Sequence, residues 1–255
     1  MSADRHARLP AGWSASPRAL DDRVVLLTGA TGGLGRASAL AATRAGASVI
    51  LLGRKVRALE KVYDEVAALG FAQPAIYPLD LAGATPNDYA EMAATIEREF
   101  KRLDGIVHAA AHFTGLQPAA NIAPDEWLRA LHVNLSAPFL LTQACLPLLR
   151  DAPDASVVFV LDDTQRMGRA HWGGYGVAKH GLAGFASILH DELENTSIRV
   201  HALLPAPMRT ALRRAAYYGE NTLQLPLPEQ AANAVVYLLG SDGAAARGKV
   251  LDLRA

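Results

Sequence analysis

A tyrosine and a lysine four residues apart are the side chains of this sequence best suited to acid–base chemistry. They lie in the segment Gly174-Tyr175-Gly176-Val177-Ala178-Lys179, and this spacing puts two side chains on one face of a helix. A phenol has a reference pKa of about 10, and a neighbouring ammonium favours its phenolate. Tyr175 is therefore predicted to exchange a proton with a hydroxyl or carbonyl while hydride passes to or from a nicotinamide.

A glycine-rich segment, Thr28-Gly29-Ala30-Thr31-Gly32-Gly33-Leu34-Gly35, stands between an apolar run and a helical pattern. Glycine has no Cβ, so the backbone can approach a pyrophosphate, whose charge the amides and dipole at the helix start stabilise. A turn without a ligand is the alternative, but the strand-to-helix placement favours a dinucleotide. The predicted cofactor-binding residues of this segment are Thr28, Gly29, Thr31, Gly33, Leu34 and Gly35.

The ends of later strands supply the remaining cofactor candidates. Arg54 follows Gly53 where a site for the unphosphorylated ribose usually has an acid, so NADP(H) is predicted over NAD(H). A solvated role for Arg54 at a helix start is the alternative. Asp80 is expected to accept from the adenine amino group, or to serve as a turn or N-cap residue. Leu81 and Ala109 are predicted to line the same site.

Short apolar runs alternate with longer Ala-rich helical patterns, which indicates βαβ units and a parallel sheet. The predicted strands are Arg23–Thr28, Ala47–Leu52, Ala75–Leu79, Gly105–Ala109, Ser156–Leu161, Arg199–Leu204 and Lys249–Leu253. The predicted helices are Leu34–Ala45, Lys55–Leu69, Pro86–Lys101, Pro124–Leu149, Gly174–Glu194 and Pro228–Leu239. The fold class is therefore α/β, a doubly wound parallel seven-stranded Rossmann sheet in one domain over residues 21–255. Residues 1–20 are expected to form a flexible extension.

Composition limits the partners. The 255 residues carry 25 Lys and Arg against 25 Asp and Glu, so no basic field gathers nucleic acid or an anionic membrane. The most apolar long stretch, Leu135–Leu149, is interrupted and too short for a membrane span. A single cysteine, Cys145, forms no internal disulfide, and the N-terminal residues lack a secretory apolar region. A small-molecule substrate and a cytoplasmic location are expected.

Together these motifs resemble the short-chain dehydrogenase/reductase family from Asp21 to Leu253. The family's Thr-Gly-x-x-x-Gly-x-Gly loop matches Thr28, Gly29, Gly33 and Gly35, and its Tyr-x-x-x-Lys matches Tyr175 and Lys179. The stretches Leu103–His108 and Gly168–Gly173 are similar to the YciK-type bacterial oxidoreductases of this family. The resemblance implies hydride transfer between NADP(H) and a carbonyl or alcohol, in a homodimer or homotetramer.

The resemblance also assigns roles to individual residues. Lys179 lowers the pKa of Tyr175 and binds ribose, and Asn134 holds a relay water. Pro205 and Thr210 contact the nicotinamide carboxamide, beside an Ala206 that replaces the family's glycine. The family's Asn-Ala-Gly, which ties neighbouring strands together, is here Ala109-Ala110-Ala111.

The most serious departure is at the catalytic serine, which lies thirteen residues before the tyrosine and falls on Asp162. An ionised aspartate only accepts hydrogen bonds, so the developing oxyanion loses a donor, and its charge opposes a nearby phenolate. Asp162 is nevertheless assigned to the catalytic set, either protonated or helped by the hydroxyl of Thr164. The alternative is that Asp162 and Asp163 pair with Arg166 or Arg169.

Three further hypotheses stay open at this point. Because three family motifs are altered, the chain could be a dinucleotide-binding regulatory or scaffolding subunit with impaired catalysis. A methyltransferase would explain the glycines but would leave Tyr175 and Lys179 without a role. In the segment 211–227, Arg213 and Arg214 are candidates for recognising an acidic substrate. His112, Phe113, His171 and Trp172 are candidates for lining the substrate mouth. No metal site is predicted, because His108 and His112 straddle a strand end.

Overall fold

The computed structural model describes residues 6–254, and its centre is a parallel sheet of eight strands. The strands are β1 (His6–Ala7), β2 (Val24–Thr28), β3 (Ser48–Gly53), β4 (Ala75–Pro78), β5 (Gly105–His108), β6 (Ala155–Val160), β7 (Ile198–Leu204) and β8 (Val250–Asp252). Their order is β1-β8-β7-β6-β5-β2-β3-β4, with every neighbouring pair parallel. The order reverses at β2 and β5, which is where such sheets open a ligand crevice.

Helices cover both faces of the sheet and make two cores. The helices are α1 (Gly33–Arg44), α2 (Val56–Ala67), α3 (Pro86–Phe100), α4 (Pro124–Leu131), α5 (Ala137–Asp151), α6 (Thr164–Met167), α7 (Gly173–Leu193), α8 (Ala211–Ala216) and α9 (Pro228–Leu239). One core holds side chains of α1, α2 and α9, and the other those of α3, α5 and α7. Along β2, Leu26 faces one core while Val25 and Leu27 face the other, which is why the strands are apolar throughout. None of the helices described is long and apolar enough to cross a membrane.

The predicted doubly wound α/β fold is confirmed, with one more strand than expected. All seven predicted strands are present, and no strand end differs from its predicted position by more than one residue. The long predicted helix over residues 124–149 is instead α4 and α5 joined by a π-helical turn at His132–Ser136. Pro138, at the start of α5, has no N–H, so the carbonyl of Asn134 lacks its usual α-helical donor.

The additional strand comes from the segment that was expected to be a flexible extension. Strand β1 pairs with β8, and the ring of Trp13 packs edge-on against Tyr237 with centroids 5.2 Å apart. The Trp13 indole also donates to Asp242 (2.9 Å), and Leu20 is fully buried. Residues 6–20 thus pack on the domain although their isolated apolar residues form no periodic pattern. Residues 1–5 of the expected extension lie outside the described part of the chain.

Candidate active site

A cavity of about 480 Å³ opens at the carboxyl ends of the strands and brings most of the predicted site residues together. The predicted residues that line it are Gly29, Thr31, Gly33, Leu34, Gly35, Arg54, Asp80, Leu81, Ala109, Asp162, Tyr175, Lys179, Pro205 and Thr210. Thr28 and Asn134 do not line it and lie behind its wall. One end of the cavity is therefore the glycine loop, and the other is the tyrosine of the predicted acid–base pair.

The glycine loop between β2 and α1 needs its glycines for close packing. Gly29 has φ +65°, and a Cβ there would lie 2.7 Å from backbone atoms of Ala110. A Cβ on Gly35 would lie 2.2 Å from the carbonyl oxygen of Gly29. Gly32 begins α1 without a side-chain cap, so the first-turn amides of α1 are available to a phosphate.

Thr28 joins two strands beneath this loop. Its hydroxyl donates to the carbonyl of Val107 (3.3 Å) and accepts from the amide of Ala110 (3.2 Å). These bonds connect β2 to the end of β5, the connection that the missing asparagine was expected to make. The Ala109-Ala110-Ala111 departure is thus accommodated structurally, because a threonine hydroxyl both donates and accepts.

Arg54 and Asp80 differ in how firmly the protein itself holds them. Arg54 is exposed at the cavity wall, and within residues 6–254 its guanidinium makes no salt bridge or side-chain hydrogen bond. Asp80 accepts from the amide of Ala82 (3.1 Å), so the turn role left open for it is present, and it also lines the cavity. At the end of the cavity near the glycine loop, the N–H donors of Arg54 thus have no partner among the described residues.

Tyr175 and Lys179 lie on one face of α7, but their electrostatics differ from the prediction. Burial raises the pKa of Tyr175 well above its ordinary value, and the Asp162 carboxylate beside it raises it further. The Lys179 ammonium is 5.7 Å from the centroid of the tyrosine ring and donates to the carbonyl of Val160 (2.8 Å). Burial lowers the pKa of Lys179 to about 8. The phenol is thus less acidic than predicted in the free protein, because desolvation and the neighbouring Asp162 carboxylate both favour its protonated form.

Asp162 occupies the position expected for the serine and bridges two side chains. The hydroxyl of Tyr175 donates to Asp162 Oδ2 (2.9 Å), and Nη2 of Arg166 donates to Asp162 Oδ1 (2.7 Å). Thr164 does not line this cavity, so its hydroxyl does not replace the serine. Of the alternatives left open, the pairing of Asp162 with Arg166 is the one observed, and Arg169 is exposed outside the cavity.

The neighbouring Asp163 anchors the short helix α6 on which Arg166 lies. Its Oδ1 accepts from the amide of Gln165 (3.0 Å), and its Oδ2 pairs with Arg254 (2.7 Å). Arg254 also pairs with Asp252 of β8 (2.7 Å). These ion pairs connect the loop after β6 to the far end of the chain, so the position of Arg166 depends on β8.

Asn134 is fully buried in the π-helical turn and acts through the loop after β5. Its side-chain oxygen accepts from the amide of His112 (3.0 Å), and its amide group donates to the carbonyls of His112 and Ala130 (both 2.8 Å). The side chain of Asn134 therefore fixes His112 against α4. The predicted relay water at Asn134 stays a prediction.

The segment containing α8 covers the cavity beside Tyr175. Arg213 donates twice to Glu220 (2.7 Å each) and stacks on Tyr217, with its guanidinium 3.7 Å from the ring centroid. Arg214 is exposed and does not line the cavity. The acidic-substrate hypothesis thus loses both of its arginines, since one is already paired and the other lies outside the cavity.

Aromatic side chains surround the tyrosine at this end. Phe113 packs against Trp172 and Tyr175 with centroid distances of 5.4 and 5.1 Å, and Trp172 lies 6.1 Å from Tyr217. Phe113 and Trp172 were expected near the substrate mouth. The surroundings of Tyr175 are therefore apolar, apart from Asp162, Arg166, Lys179 and the nearby His112.

Glu126 lacked a clear sequence signal, whereas Thr210 was predicted. Glu126 accepts from or pairs with Nε2 of His112 (2.6 Å), and it was not predicted because it is an ordinary first-turn acid of α4. Thr210 was predicted as a carboxamide contact, and its hydroxyl caps α8 by accepting from Arg213 (3.1 Å). Its methyl group lies beside Gly33, where a Cβ would be 3.0 Å away.

Fold and site together define an oxidoreductase of the short chain dehydrogenase family, and the chain belongs to it. The family model, described as short chain dehydrogenase, matches residues 23–221. This finding confirms the resemblance drawn from the glycine loop and the Tyr-x-x-x-Lys motif.

Individual relatives cover nearly the whole chain. The Uncharacterized oxidoreductase YciK of Escherichia coli (strain K12) is 35% identical over 233 residues, which are 91% of this chain and 92% of the relative. A short chain dehydrogenase structure from Shigella flexneri 2a, complexed with NADP, matches with a TM-score of 0.89 at 34% identity, covering 93% of this chain and 99% of that one. One from Escherichia coli CFT073, complexed with NADPH, matches with a TM-score of 0.89 at 35% identity, covering 93% and 98%.

Proposed function

We propose that this chain is an NADP(H)-dependent oxidoreductase that transfers hydride between nicotinamide and a carbonyl or alcohol substrate. The observation that carries the proposal is a continuous cavity of about 480 Å³ lined by both the glycine loop and Tyr175. Such a cavity is large enough for an extended ligand. The structural relatives described as complexed with NADP and NADPH support the choice of dinucleotide.

The residues present fit a phosphorylated dinucleotide. The positive φ of Gly29 and the uncapped start of α1 leave room and amide donors for a pyrophosphate. Arg54, with no partner among the described residues, is available to a 2′-phosphate, and Asp80 and Leu81 line the wall beyond it. Bound there, the dinucleotide supplies or accepts the hydride.

The acid–base step is assigned to Tyr175. Its raised pKa keeps the phenol protonated near neutral pH, so it is suited to protonate the oxygen of a carbonyl during reduction. Lys179 and Asn134 are assigned supporting roles, as the ribose-binding cation and the holder of a relay water. Asp162 takes the serine position as a hydrogen-bond acceptor of Tyr175 (2.9 Å).

The dinucleotide assignment is tested by titrating NADPH and NADH while following cofactor fluorescence. We expect NADPH to bind more tightly, and Arg54→Ala to lose most of that preference while NADH binding changes little. Arg57→Ala is the matched control, since Arg57 is an exposed arginine nearby on α2 that does not line the cavity. Equal affinity for both dinucleotides in the unmodified chain would contradict the NADP assignment.

Catalysis is tested with a panel of aldehydes and ketones, each assayed with NADPH. We expect turnover that Tyr175→Phe abolishes while NADPH affinity is retained. Binding of NADPH without turnover of any compound would favour the catalytically impaired alternative instead.

The expected homo-oligomer and cytoplasmic location are also proposed. Phe139 of α5 is 42% exposed and contacts Phe185 of α7, on which Val177 and Ile188 are more than half exposed. Apolar side chains exposed on two neighbouring helices support a protein contact there. Sedimentation of the unmodified chain and of Ile188→Glu tests it, with a shift to monomer expected for the variant.

A further inference from the structure

Among residues 6–254, Arg166 is the one guanidinium that hydrogen-bonds to the carboxylate beside Tyr175. Its Nη2 donates to Asp162 Oδ1 (2.7 Å), and the other oxygen of that carboxylate accepts from the hydroxyl of Tyr175 (2.9 Å). One carboxylate thus joins the guanidinium to the phenol, and all three groups line the same cavity. The phenol and the guanidinium therefore flank the same carboxylate inside this cavity.

Most of the hydrogen-bonding capacity of Arg166 is unused. A guanidinium has five N–H donors, and within residues 6–254 its side chain makes only the hydrogen bond to Asp162. Its Nε is buried with no acceptor in reach. A buried donor without a partner is uncommon in folded proteins, and a ligand that brings an acceptor is one way of satisfying it.

The neighbouring arginine is in a different state. Arg213 is paired twice with Glu220 and stacked on Tyr217. Its fork of donors is already occupied by a carboxylate, so within residues 6–254 Arg166 is the guanidinium beside Tyr175 that has free donors.

We propose that Arg166 donates a hydrogen bond to the substrate carbonyl oxygen and so replaces the donor that Asp162 cannot provide. The proposal rests on the oxidoreductase function proposed above. Asp162 then has the role of holding the guanidinium beside Tyr175 and balancing its charge. Because the ion pair is neutral overall and Val160, Leu161 and Leu212 line the cavity with it, the substrate is a neutral aldehyde or ketone.

During reduction the carbonyl carbon accepts the hydride, and the carbonyl π-electrons move onto oxygen. That oxygen takes the proton of the Tyr175 hydroxyl, which leaves a phenolate. The N–H of Arg166 is not transferred, and it stabilises the negative charge as it develops on the oxygen. The arginine is thus a catalytic residue by direct contact with the reacting oxygen.

The test uses benzamide, whose carbonyl accepts hydrogen bonds but is not reduced by NADPH. Benzamide is titrated by calorimetry into the full chain saturated with NADPH, or into the chain alone if NADPH does not bind. We expect saturable binding that Arg166→Met weakens about 10- to 100-fold, the range for loss of a charged hydrogen bond. Arg166→Lys should retain part of the affinity and serves if the methionine variant does not fold.

Arg169→Met is the matched control, because Arg169 lies three residues on and is exposed outside the cavity. It should leave benzamide binding unchanged within about twofold, well below the loss of a charged hydrogen bond. A second comparison removes the charge of Asp162 together with the arginine. If Arg166 only neutralises Asp162, the double variant Asp162→Ala with Arg166→Met should bind benzamide as the unmodified chain does. If Arg166 instead donates to the carbonyl oxygen, the double variant still lacks that donor, and its benzamide binding should stay weak.

Restored binding in that double variant would overturn the proposal, as would unchanged binding in Arg166→Met or no binding to the unmodified chain. Binding that stays weak in the double variant supports it. Failure of the proposed oxidoreductase function has a different signature, namely absent NADPH binding or absent carbonyl turnover.

Discussion

Replacing Asp162 by asparagine tests how strongly this carboxylate controls the proton of Tyr175. The asparagine has nearly the same shape and keeps an oxygen to accept from the phenol, but it carries no charge. The Asp162 carboxylate and burial both raise the pKa of Tyr175, while Arg166 lowers it. Asp162→Asn should therefore lower the pKa of Tyr175 and leave the cation of Arg166 unopposed.

The size of the change follows from the separation of the two groups. Tyr175 and Asp162 are 2.9 Å apart, and two unit charges at this distance interact by roughly 1.4 to 6 kcal/mol for effective dielectric constants of about 80 to 20. Removing an interaction of this size should lower the pKa of Tyr175. Because Tyr175 is only 4% exposed, solvent screens the interaction little, and its energy should lie in the upper half of that range.

The assay is a tyrosinate absorbance titration. The chain contains 7 tyrosines, so each protein is measured against the same protein carrying Tyr175→Phe, and the difference isolates the one phenol. The pH profile of alcohol oxidation is a second measurement, since oxidation needs the phenolate to accept a proton. Its rise with pH should begin at a lower pH in Asp162→Asn.

An unchanged difference titration would refute this account of Asp162. It would mean that burial alone sets the proton affinity of Tyr175. A higher pKa in the variant would show that the guanidinium of Arg166 leaves the site once its partner is neutral.

Three further predictions concern stability, each measured by denaturant unfolding. Lys179→Met should stabilise the free protein near pH 7 by at most on the order of 3 kcal/mol. The pKa of Lys179 is about 8 in the folded protein against an ordinary value of 10.5, so the unfolded chain binds more protons between these values and the parent's stability rises with pH there. A variant no more stable than the parent would contradict this prediction. Burial lowers the pKa of His108 from 6.5 to about 3, so the unfolded chain binds more protons than the folded protein below about pH 6.5. The parent's free energy of unfolding should therefore fall by about 2 kcal/mol through this residue from pH 7 to pH 5, and His108→Leu should remove that loss. Trp13→Ala should cost roughly 1 to 3 kcal/mol without changing NADPH affinity, and weaker NADPH binding would mean that this segment also affects the cavity.

The sequence was sufficient to predict the sheet and one end of the cavity. Runs such as Val24–Thr28 are apolar throughout, and only a strand covered on both faces has that composition, so the parallel strands were recognisable. The glycine loop was recognisable because close backbone approach restricts Gly29 and Gly35 to glycine. Pro138 also carried a readable signal for the break in the long helix, since it cannot donate to Asn134.

The electrostatics of the site could not be predicted in the same way. The net shift of the Tyr175 pKa was predicted with the wrong sign, because spacing along a helix says nothing about desolvation, which dominates at a buried phenol. The pairing of Asp162 with Arg166 was one of several alternatives until coordinates decided among the nearby arginines. Strand β1 was missed because two residues cannot show a period.

The ion pair between Arg254 and Asp163 bears on how the site is completed during protein synthesis. Asp163 caps the helix that carries Arg166, and its partner Arg254 directly follows strand β8. A ribosome releases Arg254 only after every other element described here has emerged. A nascent chain can thus assemble its glycine loop early, whereas the surroundings of Tyr175 receive this electrostatic anchor only after β8 has been synthesised.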